Sequence, residues 1–295
     1  MLLDTAAAAA MLDTAVRAGV HSLRLSQDAS ADLDERSKAD GSPVTRADTE
    51  SQQIIVEGLS RLFPDTPIVG EEGEHAPEAQ RAAYTDYFII DPIDGTKGFL
   101  EGSGEFAVCI GFVRDGVVRF GLVYSPALDE AVMGEPGVGL CIVRAASSRS
   151  QDDELAVLPR GGSAAGDEAW GTPLRDRAVS VIASRHNMDA ATGGWIAALG
   201  ARAGGVSLVQ TGSARKFMSI ARNEAHVYPR FSPCSQWDIA AGHAIVEAGG
   251  GMVFDADTGA VPRYRADQLR APRFVAWSRD GLAMAASMHS RIDSA

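Results

Sequence analysis

The sequence predicts a layered α/β protein, on two observations. Strand-like runs alternate with helical patterns through the second half of the chain. In the first half, two long apolar runs face each other across Arg114-Asp115-Gly116. A long antiparallel hairpin inside such a succession argues for stacked layers rather than one doubly wound parallel sheet. At 295 residues the chain is about twice the usual domain length, so one large or two joined domains are expected.

The elements follow in order. Leu12, Val16, Val20 and Leu23 recur at helical spacing and predict a first helix with those four on one face. The polar stretch 26–42 reads as a loop or mobile flap. Asp48 is a good N-cap for a second helix, with Ile55, Leu59 and Leu62 on its apolar side and Pro64 ending it. Short strands are expected at 68–69 and 87–90. Residues 106–113 and 117–124 make the hairpin, joined by a three-residue turn, and 138–143 adds a strand. Residues 146–175, rich in Ser, Gly, Asp and Ala, read as a polar connection between an N-terminal unit, 1–145, and a C-terminal unit, 176–295. Beyond it, 179–183, 206–210, 225–228 and 274–278 are strand-like. Residues 189–199, 213–222 and 237–248 are helical, Gly249-Gly250-Gly251 stops the last of these, and a C-terminal helix closes the chain.

Composition narrows the function. The apolar fraction of 45% and charged fraction of 22% are ordinary globular usage. Lys and Arg number 27 against 39 Asp and Glu, a net charge of −12. Such a surface repels nucleic-acid backbones and anionic membranes, so no nucleic-acid polymer is expected as a partner. A phosphorylated ligand would need bound cations to be held. Cys109, Cys141 and Cys234 are odd in number and widely spaced, which fits neither a disulfide framework nor a zinc ribbon and suits a reducing compartment. No apolar run approaches the ~18 residues of a membrane span. The run at 6–12 has no basic leader and is flanked by Asp4 and Asp13, against a signal peptide. A cytoplasmic location is the expectation.

Chemistry concentrates at a few points. In Asp91-Pro92-Ile93-Asp94-Gly95-Thr96 an apolar run leads directly into two carboxylates and a glycine turn. Buried carboxylates are costly unless paired or bound to a cation. Pro92 and Gly95 would curl the chain so that Asp91 and Asp94 converge, with the Ile93 carbonyl turned the same way. Hard oxygen ligands of this kind suit Mg²⁺ or Mn²⁺ better than zinc. A capped turn with exposed acids describes the same residues. Glu71-Glu72 follows another short strand. Adjacent acids there are ordinarily solvated, yet beside a second acidic strand end they become ligands, Glu71 first because Gly70 lets it turn inward. Asp238, in the first turn of an alanine-rich helix, is either a dipole partner or a ligand. Asp48 is either a cap or a group that orients a water.

Thr211-Gly212-Ser213-Ala214-Arg215-Lys216 lies between a strand and a helix, and its N–H groups, glycine and lysine would cradle a phosphate. It lacks the spacing of a P-loop. Arg230, in Tyr228-Pro229-Arg230-Phe231, is either a fixed cation for a second phosphate or half of a surface ion pair. His186 and His243 have no ligand spacing. No Ser-His-Asp or Cys-His set and no dinucleotide-binding glycine motif is seen, so covalent catalysis and nicotinamide chemistry lack support.

Taken in order, Gly70-Glu71-Glu72, Asp91 to Thr96, and Trp237-Asp238-Ile239-Ala240-Ala241-Gly242 resemble the inositol monophosphatase superfamily of metal-dependent phosphatases, across residues 10–285. Lys97 and Phe99, Gly212 to Phe217, Tyr228 to Phe231 and Trp237 to Ala244 are similar to its 3′(2′),5′-bisphosphate nucleotidase branch. The resemblance implies an alternating α-β-α-β-α sandwich, and two or three Mg²⁺ ions held by Glu71, Asp91, Asp94, Asp238 and the Ile93 carbonyl. It implies a water oriented by Asp48 and Thr96, a scissile phosphate on the Gly95 and Thr96 N–H groups, and a second phosphate on Ser213, Lys216 and Arg230. The reaction implied is hydrolysis of the 3′-phosphate of adenosine 3′,5′-bisphosphate to AMP and phosphate, by a monomer or homodimer.

The chain departs from the branch at Ser184-Arg185-His186-Asn187, where the matching histidine position is Asn187, and in the polar insertion near 145–175. An inositol or fructose-1,6-bisphosphate phosphatase is the alternative within this chemistry. An inactive metal or nucleotide sensor is the alternative outside it. The intact Asp48 and Thr96 argue against the sensor, and Lys97, Lys216 and Arg230 favour the nucleotidase.

Overall fold

The computed structural model describes residues 6–28, 30–38, 41–150, 153, 155–159 and 178–292. Helix α1 (Ala6–Gln27) is followed by a two-stranded ribbon, β1 (Arg36–Ser37) and β2 (Pro43–Val44), and by α2 (Arg46–Leu62). Then come β3 (Ile68–Gly70), α3 (Glu78–Arg81), β4 (Asp86–Asp94), α4 (Thr96–Leu100), β5 (Ala107–Arg114), β6 (Val117–Ser125), β7 (Glu130–Glu135), β8 (Gly139–Arg144) and β9 (Val157–Pro159). The second half holds β10 (Val179–Ser184), α5 (Ala190–Ala203), β11 (Val206–Thr211), α6 (Arg215–Ala221), β12 (Val227–Arg230), α7 (Trp237–Ala248), β13 (Met252–Asp255), β14 (Phe274–Trp277) and α8 (Arg279–Ile292).

Strands β3 to β9 form a seven-stranded sheet in chain order, antiparallel except where β3 lies beside β4. The other sheet has five strands in the order β11-β10-β12-β14-β13. Side chains along β4 alternate between its two faces, as the strand period requires. Phe88 and Ile90 meet Met11, Leu12, Ile55 and Leu59 of α1 and α2. Tyr87 and Ile89 face the other way, into a core shared with Phe217 of α6, Ile239 and Ala241 of α7, and Tyr228 and Phe274 of the second sheet. Beyond that sheet, Ile196 and Leu199 of α5 pack on Val181, Val227 and Val275, with Met284 of α8 beside them. The layers therefore run α-β-α-β-α.

Helix α7 sits unusually close to the larger sheet. Gly111, Gly121 and Gly134 lie side by side across β5, β6 and β7 and leave a trench beneath it. A Cβ at Gly121 would overlap the Ala241 carbonyl, and one at Gly134 would come within 2.6 Å of Ala248 Cβ. The C-terminal half thus lays a helix on the N-terminal sheet and shares one core with it. Within the connection expected at 146–175, Val157–Pro159 adds the seventh strand; residues 160–177 lie outside the described residues.

Several local expectations change. On α1 only Leu12 of the expected four is buried; Val16, Val20 and Leu23 are half-buried, and Met11, Ala15, Ala18 and Ser22 pack inward instead. Small residues win there because Gly19 abuts Tyr124 and Pro126. Thr45, not Asp48, is the N-cap of α2, and Leu62 at its far end is exposed. The hairpin turn is one residue shorter than expected. Arg114 pairs with Val117, leaving Asp115 and Gly116 at φ +50° and +72°, the positive values a two-residue type I′ turn needs. β4 continues through Asp94 instead of ending at residue 90, and β12 starts two residues late, which carries Arg230 into the strand. Strands β7 and β13 and the short helices α3 and α4 add to the elements that the sequence pattern predicts. Among the described residues no helix is long and apolar enough to cross a membrane.

Candidate active site

The pairing of β4 with β5 shifts between Asp91 and Asp94. In a regular strand two residues three apart point to opposite faces; the irregularity brings both carboxylates to one side. Asp238, in the first turn of α7, meets them from the other half of the chain. Carboxylate oxygens of Asp91, Asp94 and Asp238 lie within 4.8 Å of one another. Glu71, just past β3, donates its N–H to the Ile90 carbonyl at 3.1 Å, and its side chain hydrogen-bonds Asp91. Ile93 is buried; its N–H donates to Asp91 Oδ1 at 3.0 Å, and its carbonyl accepts from Thr96 Oγ1 at 3.3 Å.

Burial is the main reason Glu71, Asp91 and Asp94 resist ionisation, and repulsion from neighbouring carboxylates adds to it. Asp91 is held well above the usual carboxylate range, Asp94 is pushed up to about 6 and Glu71 to about 7. Four converging carboxylates with no soft donor among them fit a hard divalent cation such as Mg²⁺. Cys109 pairs opposite Asp91, but burial and the nearby acids hold its thiol protonated.

One cation already touches the cluster, and nothing in its sequence context signals it. Lys38, beside β1, places Nζ 2.7 Å from Glu71 Oε1 and 2.6 Å from Glu72 Oε1. Burial works against its charge, but the two carboxylates outweigh that and keep it protonated. Glu72 is also buried, with its N–H donating to Gln52 Oε1 at 2.9 Å.

Asp48 takes part in the cap of α2 as the partner of Thr45, and its other oxygen reaches Thr96. Its Oδ2 accepts from the Thr45 N–H at 2.7 Å and Thr45 Oγ1 at 2.6 Å, closing a capping box at the start of α2. Its Oδ1 accepts from Thr96 Oγ1 at 3.3 Å. The Thr-x-x-Asp spacing of Thr45 and Asp48 was a legible sign of this box. Burial raises the Asp48 pKa against those hydrogen bonds.

The loop at 211–216 reaches the cluster from the second sheet. Gly95, at φ +99°, faces Ser213: a Cβ at Gly95 would lie 3.1 Å from Ser213 Cβ. The Ala214 N–H donates to Asp94. Lys216 is buried, with Nζ donating to the carbonyls of Ser213 at 2.5 Å and Thr211 at 3.3 Å. Burial pulls its pKa down to about 8, against the attraction of Asp94. Arg230 Nη2 lies 3.6 Å from Asp238 Oδ2, which also accepts from the Ser235 N–H at 2.9 Å. Arg230 Nε has no hydrogen-bond partner among the described residues. Of the expected anchors, Arg230 thus lies against a carboxylate, while Lys216 is held by loop carbonyls and attracted by Asp94. Asn187 is exposed, His186 Nε2 lies 3.5 Å from Glu101, and His243 is buried on Tyr264.

Sandwich and cluster together define the class: a layered α/β enzyme that works through a hard metal ion. The chain belongs to the inositol monophosphatase family, whose profile matches residues 4–292. It is 34% identical to the 3′(2′),5′-bisphosphate nucleotidase CysQ of Escherichia coli (strain K12) over 229 residues, 77% of this chain and 82% of that protein. It is 35% identical to CysQ of Salmonella typhimurium over 219 residues, 74% and 78% of the two chains. A crystal structure of CysQ from Bacteroides thetaiotaomicron, itself described as a bacterial member of the inositol monophosphatase family, matches with a TM-score of 0.77 at 31% identity, covering 92% of this chain and 96% of that one.

Proposed function

We propose that this protein is a Mg²⁺-dependent 3′(2′),5′-bisphosphate nucleotidase that removes the 3′-phosphate of adenosine 3′,5′-bisphosphate, leaving AMP and phosphate. The observation that carries the reading is the convergence of Asp91, Asp94 and Asp238 within 4.8 Å of one another, beside Lys216 and Arg230. The identity to CysQ over most of the chain supports the nucleotide as substrate.

Glu71, Asp91, Asp94 and Asp238, with the Ile93 carbonyl, would hold two or three Mg²⁺ ions. When bound, these ions supply the charge that acidifies the attacking water and offsets the negative charge on the leaving ribose oxygen. Asp48 Oδ1 and Thr96 Oγ1 orient that water for in-line attack on the 3′-phosphorus. Thr45 locks the other Asp48 oxygen, so Oδ1 keeps one direction. The Gly95 and Thr96 N–H groups, at the start of α4 and without a helical partner, hold the scissile phosphate. Ser213, Lys216 and Arg230 hold the second phosphate; carboxylates shared with a metal leave both cations free for an anion. The N-terminal unit, 1–145, carries most of the ligands, and 176–295 adds Asp238 and the anchor. The enzyme works in the cytoplasm, where its three unpaired cysteines stay reduced.

The test is phosphate release at fixed Mg²⁺ from adenosine 3′,5′-bisphosphate, inositol 1-phosphate and fructose 1,6-bisphosphate side by side. The expected result is a kcat/KM at least about tenfold higher for the nucleotide, about 1.4 kcal/mol of preference. A flat profile would make the protein a broad phosphatase, and no release at all would favour a sensor.

A further inference from the structure

Glu105 lies just before β5 and has no part in the reading above. Its carboxylate collects donors from the far half of the chain: Arg185 Nε at 3.0 Å, Arg185 Nη2 at 2.8 Å, the Gly212 N–H at 2.8 Å and the Thr211 hydroxyl. The Arg185 fork engages both carboxylate oxygens, the strong planar geometry of a guanidinium–carboxylate pair. Arg185 itself follows β10 and is tied to the end of β11. Its N–H donates to the Thr211 carbonyl at 3.2 Å and its Nη2 to the Gln210 carbonyl at 3.2 Å.

The backbone of Glu105 is equally committed. A Cβ at Gly95 or Gly98 would come within 2.8 Å of its carbonyl oxygen, and one at Gly212 within 2.9 Å. Glu105 therefore touches the Gly95-Thr96 turn on one side and the Gly212-Ser213-Ala214 loop on the other. That loop needs holding. Ser213 has φ +56°, a left-handed conformation that a serine keeps only when its surroundings impose it. One end is fixed by the Gly212 N–H on Glu105, and the other by the Ala214 N–H on Asp94.

We propose that the Glu105–Arg185 pair is a specificity-determining positioning device: it sets the distance between the turn that takes the scissile phosphate and the loop that takes the second one, and so sets the preference for a bisphosphate over a monophosphate. The inference rests on the nucleotidase reading above. Without Glu105 the Gly212 N–H loses its acceptor and Arg185 its carboxylate, so this end of the loop can shift, while Asp94 still holds the Ala214 end. The second phosphate then loses its seat and the metal cluster keeps its shape.

The test uses Glu105→Gln, Arg185→Ala and the double variant. For each, kcat and KM are measured at saturating Mg²⁺ for adenosine 3′,5′-bisphosphate and for adenosine 3′-monophosphate, with a thermal melt alongside. KM for the bisphosphate is expected to rise about tenfold in either single variant and no further in the double, with KM for the monophosphate within about twofold of the parent. Equal changes for both substrates, additive effects in the double variant, or an unchanged bisphosphate KM would overturn the proposal. Should Glu105→Gln not fold, Arg185→Ala reads the same ratio from a side chain that is 51% exposed. A parent protein that does not hydrolyse the bisphosphate would instead sink the nucleotidase reading, since there would be no preference to lose.

Discussion

Asp91 and Asp94 stand on β4, which is paired on both sides by β3 and β5. Gly212 to Ala214, by contrast, belongs to neither sheet and is held by hydrogen bonds to Glu105, Asp94 and Lys216. The first region is fixed by a ladder and crowded with like charge. The second runs into the helix that bears the cation Lys216 and is fixed by a handful of contacts. Substitutions on β4 should therefore change charge while leaving shape alone, and substitutions around the loop should change shape and with it selectivity.

The largest effect is expected from Asp94→Asn. Turnover should fall by about a thousandfold or more if Asp94 is the metal ligand proposed above. The fold should survive, and the metal-free protein should melt no lower than the parent, since one repelling carboxylate is gone. Phosphate release and a thermal melt check both; undiminished turnover would remove Asp94 from the metal site. Next comes the trench under α7. Gly121→Val would drive a side chain into the Ala241 carbonyl and is expected to cost about 3 kcal/mol in urea unfolding. Mg²⁺ affinity by calorimetry should weaken with it, because α7 carries Asp238.

Smaller effects are expected on the cationic side. Lys216→Ala and Arg230→Ala should each raise KM for the bisphosphate about tenfold, and less for a monophosphate. Equal effects on the two substrates would refute the anchoring role. The smallest effect is a dependence on pH. Glu71 and Asp94 titrate at about 7 and about 6 in the folded protein, above their ordinary 4.5 and 3.8. The folded state thus keeps protons that the unfolded chain releases. Their contribution to stability is complete below the ordinary values and is lost as the pH rises through 6 and 7. Protein treated with a chelator should melt a few degrees lower at about pH 8 than at about pH 5, and added Mg²⁺ should reverse the loss. A flat profile would mean that these acids are not buried together.

The layered fold and the acidic motifs were legible because each is local: an apolar run ending in Asp91-Pro92-Ile93-Asp94-Gly95 announces its strand and its acids together. What escaped depends on contacts between distant segments. Lys38 is a single lysine in a polar flap until folding brings it onto Glu71 and Glu72. Glu105 gains meaning only when Arg185 and Gly212 arrive from the other sheet. On α1 hydrophobicity ranks valine above alanine, whereas close approach at Gly19 selects the smaller side chains for the buried face. The spacing of Lys216 and Arg230 holds no sign that the first is tied to loop carbonyls near Asp94 and the second pairs with Asp238.

The trench of Gly111, Gly121 and Gly134 also bears on how the molecule comes into being. The larger sheet can assemble as soon as its own strands leave the ribosome, but the helix that fills the trench is encoded far downstream. During synthesis the nascent chain therefore exposes a bare glycine face and an acidic pocket short of one carboxylate. A chain released before that helix is made would present the sheet with this face uncovered.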